Sequence, residues 1–270
     1  MSRWSNEMEG CYIAYLGPEG TNAYYAANKF KEERNNNCSL IACESNKEVL
    51  AKVEAGCKYG IIPAINSDIG VIDFLVESIE DRSIGEKTKV IATLGLDIEY
   101  CIEEKGEEDS NVVLVATKLE VFLQTYHRLK NKYAGKKLIF IDAPSSCSQM
   151  DIDVPSSWKK VKLLNCKNLK TNNETVFHRT RTLFYIISRE DIKDHNRFII
   201  AVKLDSLKEK VLEDIFKEYE TENIRLGYSK GYHFFEIKGC FYSGKTEYVI
   251  NLIKKLLGCD IIYLGGYKYD

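Results

Sequence analysis

The chain has 270 residues, of which 44% are hydrophobic and 29% charged, so it can form one large or two smaller domains with ordinary globular cores. Its formal net charge of −2 predicts no nucleic-acid binding and no attachment to a membrane. No apolar run approaches the roughly 18 residues of a membrane span. The polar N-terminus lacks the apolar stretch of a signal peptide, so we expect a cytoplasmic protein.

The cysteines and histidines give no sign of a metal centre. The nine cysteines are odd in number, scattered and without a Cys-x-x-Cys pair. This pattern is typical of reduced thiols, and it predicts neither a disulfide framework nor a structural zinc site. The four histidines share no ligand spacing. We therefore expect no metal and no cofactor.

Strands and helices alternate along the first two thirds of the chain. The predicted strands lie at 11–16, 40–43, 58–63, 90–94, 96–102, 112–116, 137–141 and 183–188. The predicted helices lie at 21–30, 45–53 and 118–132, the second opened by a capping box of Ser45 and Glu48. This alternation predicts a mostly parallel α/β sheet.

A different order of elements follows residue 192. The predicted strands lie at 197–204, 232–237 and 260–264, with another near Ile224, and the predicted helices lie at 206–221 and 247–257. This order is that of a β-α-β-β-α-β ferredoxin-like module.

Three motifs carry a family resemblance. Residues 13–21 (IAYLGPEGT), followed by Tyr25-Ala26-Ala27, closely resemble the opening of prephenate dehydratases. Residues 59–67 (YGIIPAINS), then Gly70, are similar to a second motif of that family, in which a glutamate usually occupies the position of Ile65. Residues 182–184 (TLF) correspond to the Thr-Arg-Phe signature of the family without its arginine.

The resemblance covers essentially the whole chain and implies its fold. We expect an α/β protein with a two-lobed catalytic domain of the type II periplasmic-binding-protein kind over residues 10–192. A ferredoxin-like α+β module of the ACT type is expected over residues 193–270. ACT modules usually pair edge to edge, so a homodimer or tetramer is implied. The phenylalanine-binding motifs of such modules are not recognisable here, and we expect no strong inhibition by phenylalanine.

The same resemblance implies the site. Loop 17–20 leads into a helix, so its free N–H groups can meet a substrate carboxylate. Thr182 is the expected catalytic residue, as a hydrogen-bond donor to the ring hydroxyl that leaves. The residues implied to bind substrate are Gly17, Glu19, Gly20, Thr21, Asn66, Ser67, Gln124, Ser145, Ser146 and Phe184.

The two departures from the family pattern leave alternatives open. A lost arginine removes a directional carboxylate contact, and Ile65 removes a charge that we expect in the cleft. Arg181 should point away from Thr182, since neighbours on a strand face opposite sides. The expected activity is conversion of prephenate to phenylpyruvate. One alternative is a non-aromatising prephenate decarboxylase, since such enzymes also keep the Gly-Pro-Glu-Gly-Thr opening and depart at the other motifs, including the arginine. The other is a non-catalytic sensor that binds an aromatic metabolite or a partner protein, which the missing arginine and glutamate favour.

One further motif is set aside. Residues 239–246 (GCFYSGKT) match the spacing of a nucleotide-binding P-loop between a predicted strand and a predicted helix. Only 24 residues follow it, too few for the other strands and the acidic magnesium ligand of such a domain. We interpret the segment as a solvated loop.

Overall fold

A computed structural model of the chain describes residues 11–34, 37–143, 153, 155–168, 176–205 and 208–269. The first sheet is built from the strands β1 (Tyr12–Leu16), β2 (Ser39–Cys43), β3 (Tyr59–Asn66), β4 (Gly70–Val71), β5 (Lys89–Lys105), β6 (Val112–Thr117), β7 (Lys137–Asp142), β8 (Lys159–Asn165) and β9 (Val176–Ser188). The helices between them are α1 (Asn22–Glu33), α2 (Asn46–Glu54), α3 (Asp73–Glu80) and α4 (Leu119–Lys132). The predicted cap of α2 is present, since Glu48 N–H donates to Ser45 Oγ, and the Glu48 carboxylate accepts from Glu44 N–H, one residue before the N-cap.

The first sheet is mixed, with the order β2-β1-β3-β9-β5-β8-β6-β7 and β4 paired to β3. The pairs of β1 with β2 and β3, and of β6 with β7 and β8, are parallel. Between them β9 and β5 run antiparallel to their neighbours. The α/β class is therefore confirmed, but the expectation of a mostly parallel sheet is wrong.

Strands β1 to β4 form one lobe of this sheet and β6 to β8 form the other, and the long strands β5 and β9 join the two lobes. One half of β9 pairs with β3, and β5 follows β9 along its length before pairing with β8. The sequence predicted two strands broken at Gly95, but β5 is continuous. A Cβ at Gly95 would lie 2.5 Å from the Arg181 guanidinium, so the glycine makes room for a side chain of β9 instead of ending a strand.

Two elements carry no clear sequence signal. Helix α3 begins at Asp73, and its N-cap, Ile72, makes no side-chain cap, so no start signal precedes the helix. Strand β8 opens with two buried lysines, and Lys159 Nζ lies 2.7 Å from Glu108 and 3.0 Å from Glu104. Buried charges satisfied by distant carboxylates break the apolar pattern by which a strand is recognised.

The second sheet follows with β10 (Arg197–Lys203), α5 (Glu209–Glu218), β11 (Asn223–Ser229), β12 (Tyr232–Lys238), α6 (Gly244–Leu257) and β13 (Ile261–Tyr267). Its order is β11-β12-β10-β13, with every pair antiparallel, as in a ferredoxin-like module. Helices α5 and α6 cover one face. The other face shares a hydrophobic cluster with the first sheet. The domain boundary at 192/193 stays a prediction.

Side-chain hydrogen bonds hold the segment that links β9 to β10, residues 189–196, against the second sheet. The Asp191 carboxylate accepts hydrogen bonds from the Tyr242 and Tyr263 hydroxyls. His195 is buried; its Nδ1 lies 2.6 Å from the Ile192 carbonyl oxygen, and its Nε2 accepts from Phe241 N–H at 2.9 Å. The link is therefore anchored at both ends. Within the described residues, no helix is long and apolar enough to cross a membrane.

Disulfides correct one expectation. Cys11 is bonded to Cys38, and Cys101 to Cys166, with sequence separations of 27 and 65 residues. The prediction that all the thiols are reduced is therefore wrong for these four. Nothing in the spacing shows which distant cysteines meet, because strand pairing brings them together. Cys43 remains a buried thiol, and burial raises its pKa to about 11.

Gly265 gives a test of the contact between the sheets. It has φ +147°, and a Cβ there would lie 2.1 Å from the Val90 carbonyl oxygen. We expect Gly265→Ala to lower the free energy of unfolding by about 3–5 kcal/mol through overpacking and backbone strain. Denaturant unfolding followed by circular dichroism measures this. The control is Gly244→Ala, since a Cβ at Gly244 meets nothing within 4 Å; equal losses in both variants would contradict the close contact.

Candidate active site

A cavity of about 140 Å³ lies between the two lobes of the first sheet. Strands β1, β3 and β6 end beside it, where ligands of α/β sheets gather. Its lining is largely apolar or amide. The lining residues are Leu16, Thr21, Asn22, Ala23, Asn46, Pro63, Asn66, Ile69, Ile72, Tyr100, Lys118, Glu120, Val121, Gln124, Thr182 and Phe184.

Helix starts face this cavity from both lobes. The first residues of α1 line it on one side, and the start of α4 lines it on the other. Thr21 caps α1 by accepting from Tyr24 N–H at 3.2 Å, while its own hydroxyl donates to the Leu16 carbonyl oxygen. Lys118, the N-cap of α4, makes no side-chain cap. Helix N-termini carry partial positive charge and N–H groups without helical partners, which favours anionic groups. At α4 one of these groups, the Leu119 N–H, already donates to Asp142 Oδ1 at 3.1 Å.

The Asn66 amide organises the polar wall. Its Nδ2 donates to Thr180 Oγ1 at 3.0 Å and to Thr182 Oγ1 at 2.9 Å. Its Oδ1 accepts from Thr180 Oγ1 and from the backbone N–H groups of Asp68 and Ile69. The Thr182 oxygen is thus held as an acceptor. Its own hydroxyl hydrogen has no acceptor within the described residues, and the cavity is the space left to it.

A His–Asp pair braces the loop after Asn66, and sequence reasoning missed it. His178 is buried, and its Nε2 donates to Asp68 Oδ2 at 2.8 Å. The imidazole lies nearly parallel to the Tyr100 ring, with centroids 6.5 Å apart. The alternation of buried His178, Thr180 and Thr182 along β9 was the available signal.

Tyr100 adds a second hydroxyl to the cavity. Its oxygen accepts from Asn22 Nδ2 at 3.2 Å, and Asn22 Oδ1 in turn accepts from Asn165 at 2.7 Å. Burial raises the pKa of Tyr100 to about 12, so the phenol stays protonated near neutral pH. Asn168 continues this side by donating to the Gly20 carbonyl oxygen at 3.0 Å. These amides connect the two lobes around the cavity.

The structure brings together about half of the site residues named from the sequence. Those that line the cavity are Thr21, Asn66, Gln124, Thr182 and Phe184. Those that lie beside it without lining it are Gly17, Glu19, Gly20 and Ser67. Glu19 accepts from Tyr24 OH, and Ser67 Oγ accepts from Arg181 N–H. Ser145 and Ser146 lie outside the described residues. The role of each residue stays a prediction.

The two departures from the family pattern face away from the cavity. Ile65 and Leu183 are cross-strand partners of β3 and β9. Both pack against the hydrophobic cluster shared with the second sheet, whereas Asn66 and Thr182 line the cavity on the other face. A glutamate and an arginine here would form a pair with each other. The expectation that Ile65 removes a charge from the cleft is therefore wrong.

The neighbouring arginines do not replace a lost cleft charge. Arg181 Nη1 lies 3.2 Å from Asp97, and Arg179 Nε lies 2.8 Å from Glu99. Both side chains are exposed on the face opposite Thr180 and Thr182. The strand argument that Arg181 points away from Thr182 agrees with this geometry.

The described residues form no prepared site for a nucleotide or a metal ion. The P-loop-like segment does lie between β12 and α6, but Phe241 N–H already donates to His195, and Ser243 N–H donates to the Cys240 carbonyl oxygen. Phosphate binding by such a loop needs those N–H groups free. In the part of the chain that the structure describes, no group of three or more His, Cys, Asp or Glu side chains could hold a metal ion.

Comparison with known proteins agrees with this architecture. The family model for prephenate dehydratase matches residues 13–191. The bifunctional chorismate mutase/prephenate dehydratase of Escherichia coli K12 is 20% identical over 138 residues, which are 51% of this chain and 35% of that relative. The match thus spans about a third of the length of that curated relative.

Two solved structures share the fold at low identity. The prephenate dehydratase of Staphylococcus aureus Mu50 has a TM-score of 0.62 at 15% identity, covering 95% of this chain and 99% of that one. The prephenate dehydratase of Arthrobacter aurescens, in complex with L-Phe, has a TM-score of 0.63 at 14% identity, covering 96% and 90%. The fold is thus the type II periplasmic-binding-protein kind with an added ferredoxin-like sheet. The chain belongs to the prephenate dehydratase family.

The apolar cross-strand pair can be tested by a double-mutant cycle. We expect Ile65→Glu and Leu183→Arg each to lower the free energy of unfolding by about 1–3 kcal/mol, because each places a lone charge in an apolar cluster. The double variant should recover about 0.5–3 kcal/mol of the summed loss, since the two charges then pair. Urea unfolding measures all four proteins. Strictly additive losses would contradict the pairing of these side chains.

Proposed function

We propose that the cleft converts prephenate to phenylpyruvate, with loss of water and carbon dioxide. Membership of the family supports this reaction class. The observation that carries the proposal is the Thr182 hydroxyl: Asn66 occupies its oxygen at 2.9 Å, which leaves its hydrogen for a group in the cavity.

The cavity suits a cyclic dianion. Two helix starts in opposite lobes can each receive one carboxylate. Between them, Phe184, Pro63 and Leu16 provide apolar surface for a six-membered ring. Thr182 and Tyr100 provide hydroxyl donors. A ligand with two carboxylates, a ring and a ring hydroxyl matches this arrangement.

The reaction does not require a strong acid from the protein. The bond from the ring to its carboxylate breaks, and the electron pair enters the ring as carbon dioxide leaves. The ring carbon–oxygen bond breaks in turn, and the hydroxyl leaves as water after taking up one proton from solvent. Thr182 stabilises the departing oxygen by donating a hydrogen bond to it. Because the ring becomes aromatic, a weak donor in a fixed position suffices.

The product distinguishes this reaction from the alternatives. An ultraviolet spectrum after incubation with prephenate shows an aromatic ring if water is lost with carbon dioxide. A non-aromatising decarboxylase gives no aromatic ring, and a sensor gives tight binding by calorimetry without turnover. Neither alternative gains support from Ile65 and Leu183, since both side chains face away from the cavity.

Thr182 is the residue to vary. We expect Thr182→Ser to keep much of the rate, because the hydroxyl survives. Thr182→Val keeps the shape and loses the donor, so kcat should fall about 10²–10³-fold. Binding of prephenate should change much less, since the donor acts where charge develops in the transition state. A spectrophotometric rate assay measures kcat, and calorimetry measures the binding of prephenate.

Thr180 provides the matched control. Its hydroxyl also binds Asn66, yet it does not line the cavity. Thr180→Val should therefore disturb stability more than rate. If Thr182→Val turns over prephenate at the parent rate, the assigned role of Thr182 is wrong.

We further propose that residues 193–270 form an ACT-type module that pairs two chains. Strand β11 lies at the edge of its sheet, where Ile224 and Tyr228 are exposed. An unpaired edge is a template for a second copy. Arg225, the one residue that fits a family amino-acid motif, is already paired with Glu209. This pairing supports a module that assembles the protein without sensing phenylalanine.

Both parts of this proposal are measurable. We expect a homodimer or tetramer by sedimentation equilibrium, and no rise in melting temperature with excess phenylalanine. A clear thermal shift with phenylalanine would contradict the second part. A monomer at all concentrations would contradict the first.

A further inference from the structure

The charges lining the cavity are few. Among the described lining residues, Lys118 is the basic one and Glu120 the acidic one. Both lie at the start of α4, at its N-cap and in its first turn. The remaining lining is apolar, hydroxyl or amide. The recognition of a dianion in this cavity therefore depends strongly on what these two side chains do.

Lys118 stands out by having no carboxylate partner within the described residues. By contrast, Lys159 lies between two glutamates, and Arg181 is paired with Asp97. Lys118 is half-buried at the cavity wall. A lysine at a cavity wall without a carboxylate partner is available to bind an anionic ligand group.

A second polar group on the same wall is also incomplete. Gln124 lies on the cavity side of α4, and its Oε1 is buried without a hydrogen-bond partner in the described residues. At the start of α4 the Lys118 side chain makes no cap, and the Leu119 N–H donates to Asp142 Oδ1 at 3.1 Å. In the described residues, this wall therefore combines a cation without a carboxylate partner, which suits an anionic ligand group, with an unpartnered hydrogen-bond acceptor, which suits a ligand hydroxyl.

We propose that Lys118 binds the carboxylate that the product retains, and so orients the substrate in the cleft. This inference rests on the proposed function. The choice between the two carboxylates follows from the chemistry. An ion pair with lysine stabilises a carboxylate and would oppose the loss of its charge as carbon dioxide. The ring carboxylate that leaves therefore faces the other wall, and the side-chain carboxylate, which survives in phenylpyruvate, meets Lys118.

The test is binding of prephenate and of phenylpyruvate, measured by calorimetry, together with kcat and KM. We expect Lys118→Met to raise the Kd of both ligands by a similar factor of about 10- to 100-fold, because both carry the same carboxylate. Lys118→Arg should recover most of the affinity, since the charge survives. The kcat should fall much less than kcat/KM, because the contact is made equally in ground and transition states.

Glu120 provides the control of opposite sign. It lines the same wall from the same helix turn, so Glu120→Gln should keep or lower the Kd of prephenate. A general disturbance of α4 would instead weaken binding in both variants, which would overturn the proposal. Melting temperatures of all variants separate loss of folding from loss of affinity.

The outcomes distinguish this inference from the proposed function. Weaker binding of prephenate with unchanged binding of phenylpyruvate would overturn the choice of carboxylate. Unchanged binding of both would overturn the role of Lys118, while turnover of prephenate by the parent would still support the proposed function. If the unmodified protein neither binds nor converts prephenate, both the proposed function and this inference are contradicted.

Discussion

The antiparallel pairing of β9 with β3 and β5 is the constraint on which the site depends. Pairing on both edges fixes the alternation of β9, so its odd and even residues face opposite sides of the sheet. Thr180, Thr182 and Phe184 therefore face the cleft side, while Leu183 faces the cluster under the second sheet. A slip of one residue would exchange these faces and remove the Asn66–Thr182 contact.

This constraint explains what the sequence could predict. Thr21 and Asn66 could be named because they lie where β1 and β3 end, at the edge of the sheet where ligands gather. Thr182, in the middle of β9, was named only through the family resemblance. The His178–Asp68 pair was not found, since its partners lie 110 residues apart and only the pairing of β9 brings them together. Strand β5 was divided at Gly95 because a glycine that accommodates Arg181 looks the same in sequence as one that ends a strand. The two disulfides could not be predicted for the same reason, because strand pairing brings their cysteines together.

The departures at Ile65 and Leu183 show how a motif mismatch can mislead. Each lies next to a residue that lines the cavity, so proximity in sequence suggested a damaged site. Because the two positions are cross-strand partners, the glutamate and arginine of the family pattern would lie side by side there, where this chain has two apolar side chains. Removing both partners of a pair avoids the cost of leaving one charge unmatched. The cleft side of both strands keeps its hydrogen bonds, so the replacement does not argue against catalysis.

The same pair lies where the first sheet meets the second. Leu226 of β11 belongs to the same hydrophobic cluster, and a Cβ at Gly227 would lie 2.6 Å from Val71 of β4. Strand β4 pairs with the end of β3, where Asn66 organises the polar wall of the cavity. An apolar contact at this point resists shear by close packing and does not depend on ionisation or salt. The second sheet therefore acts here as a brace behind the cleft, and a change in its packing would reach Asn66 through a single pair of strands.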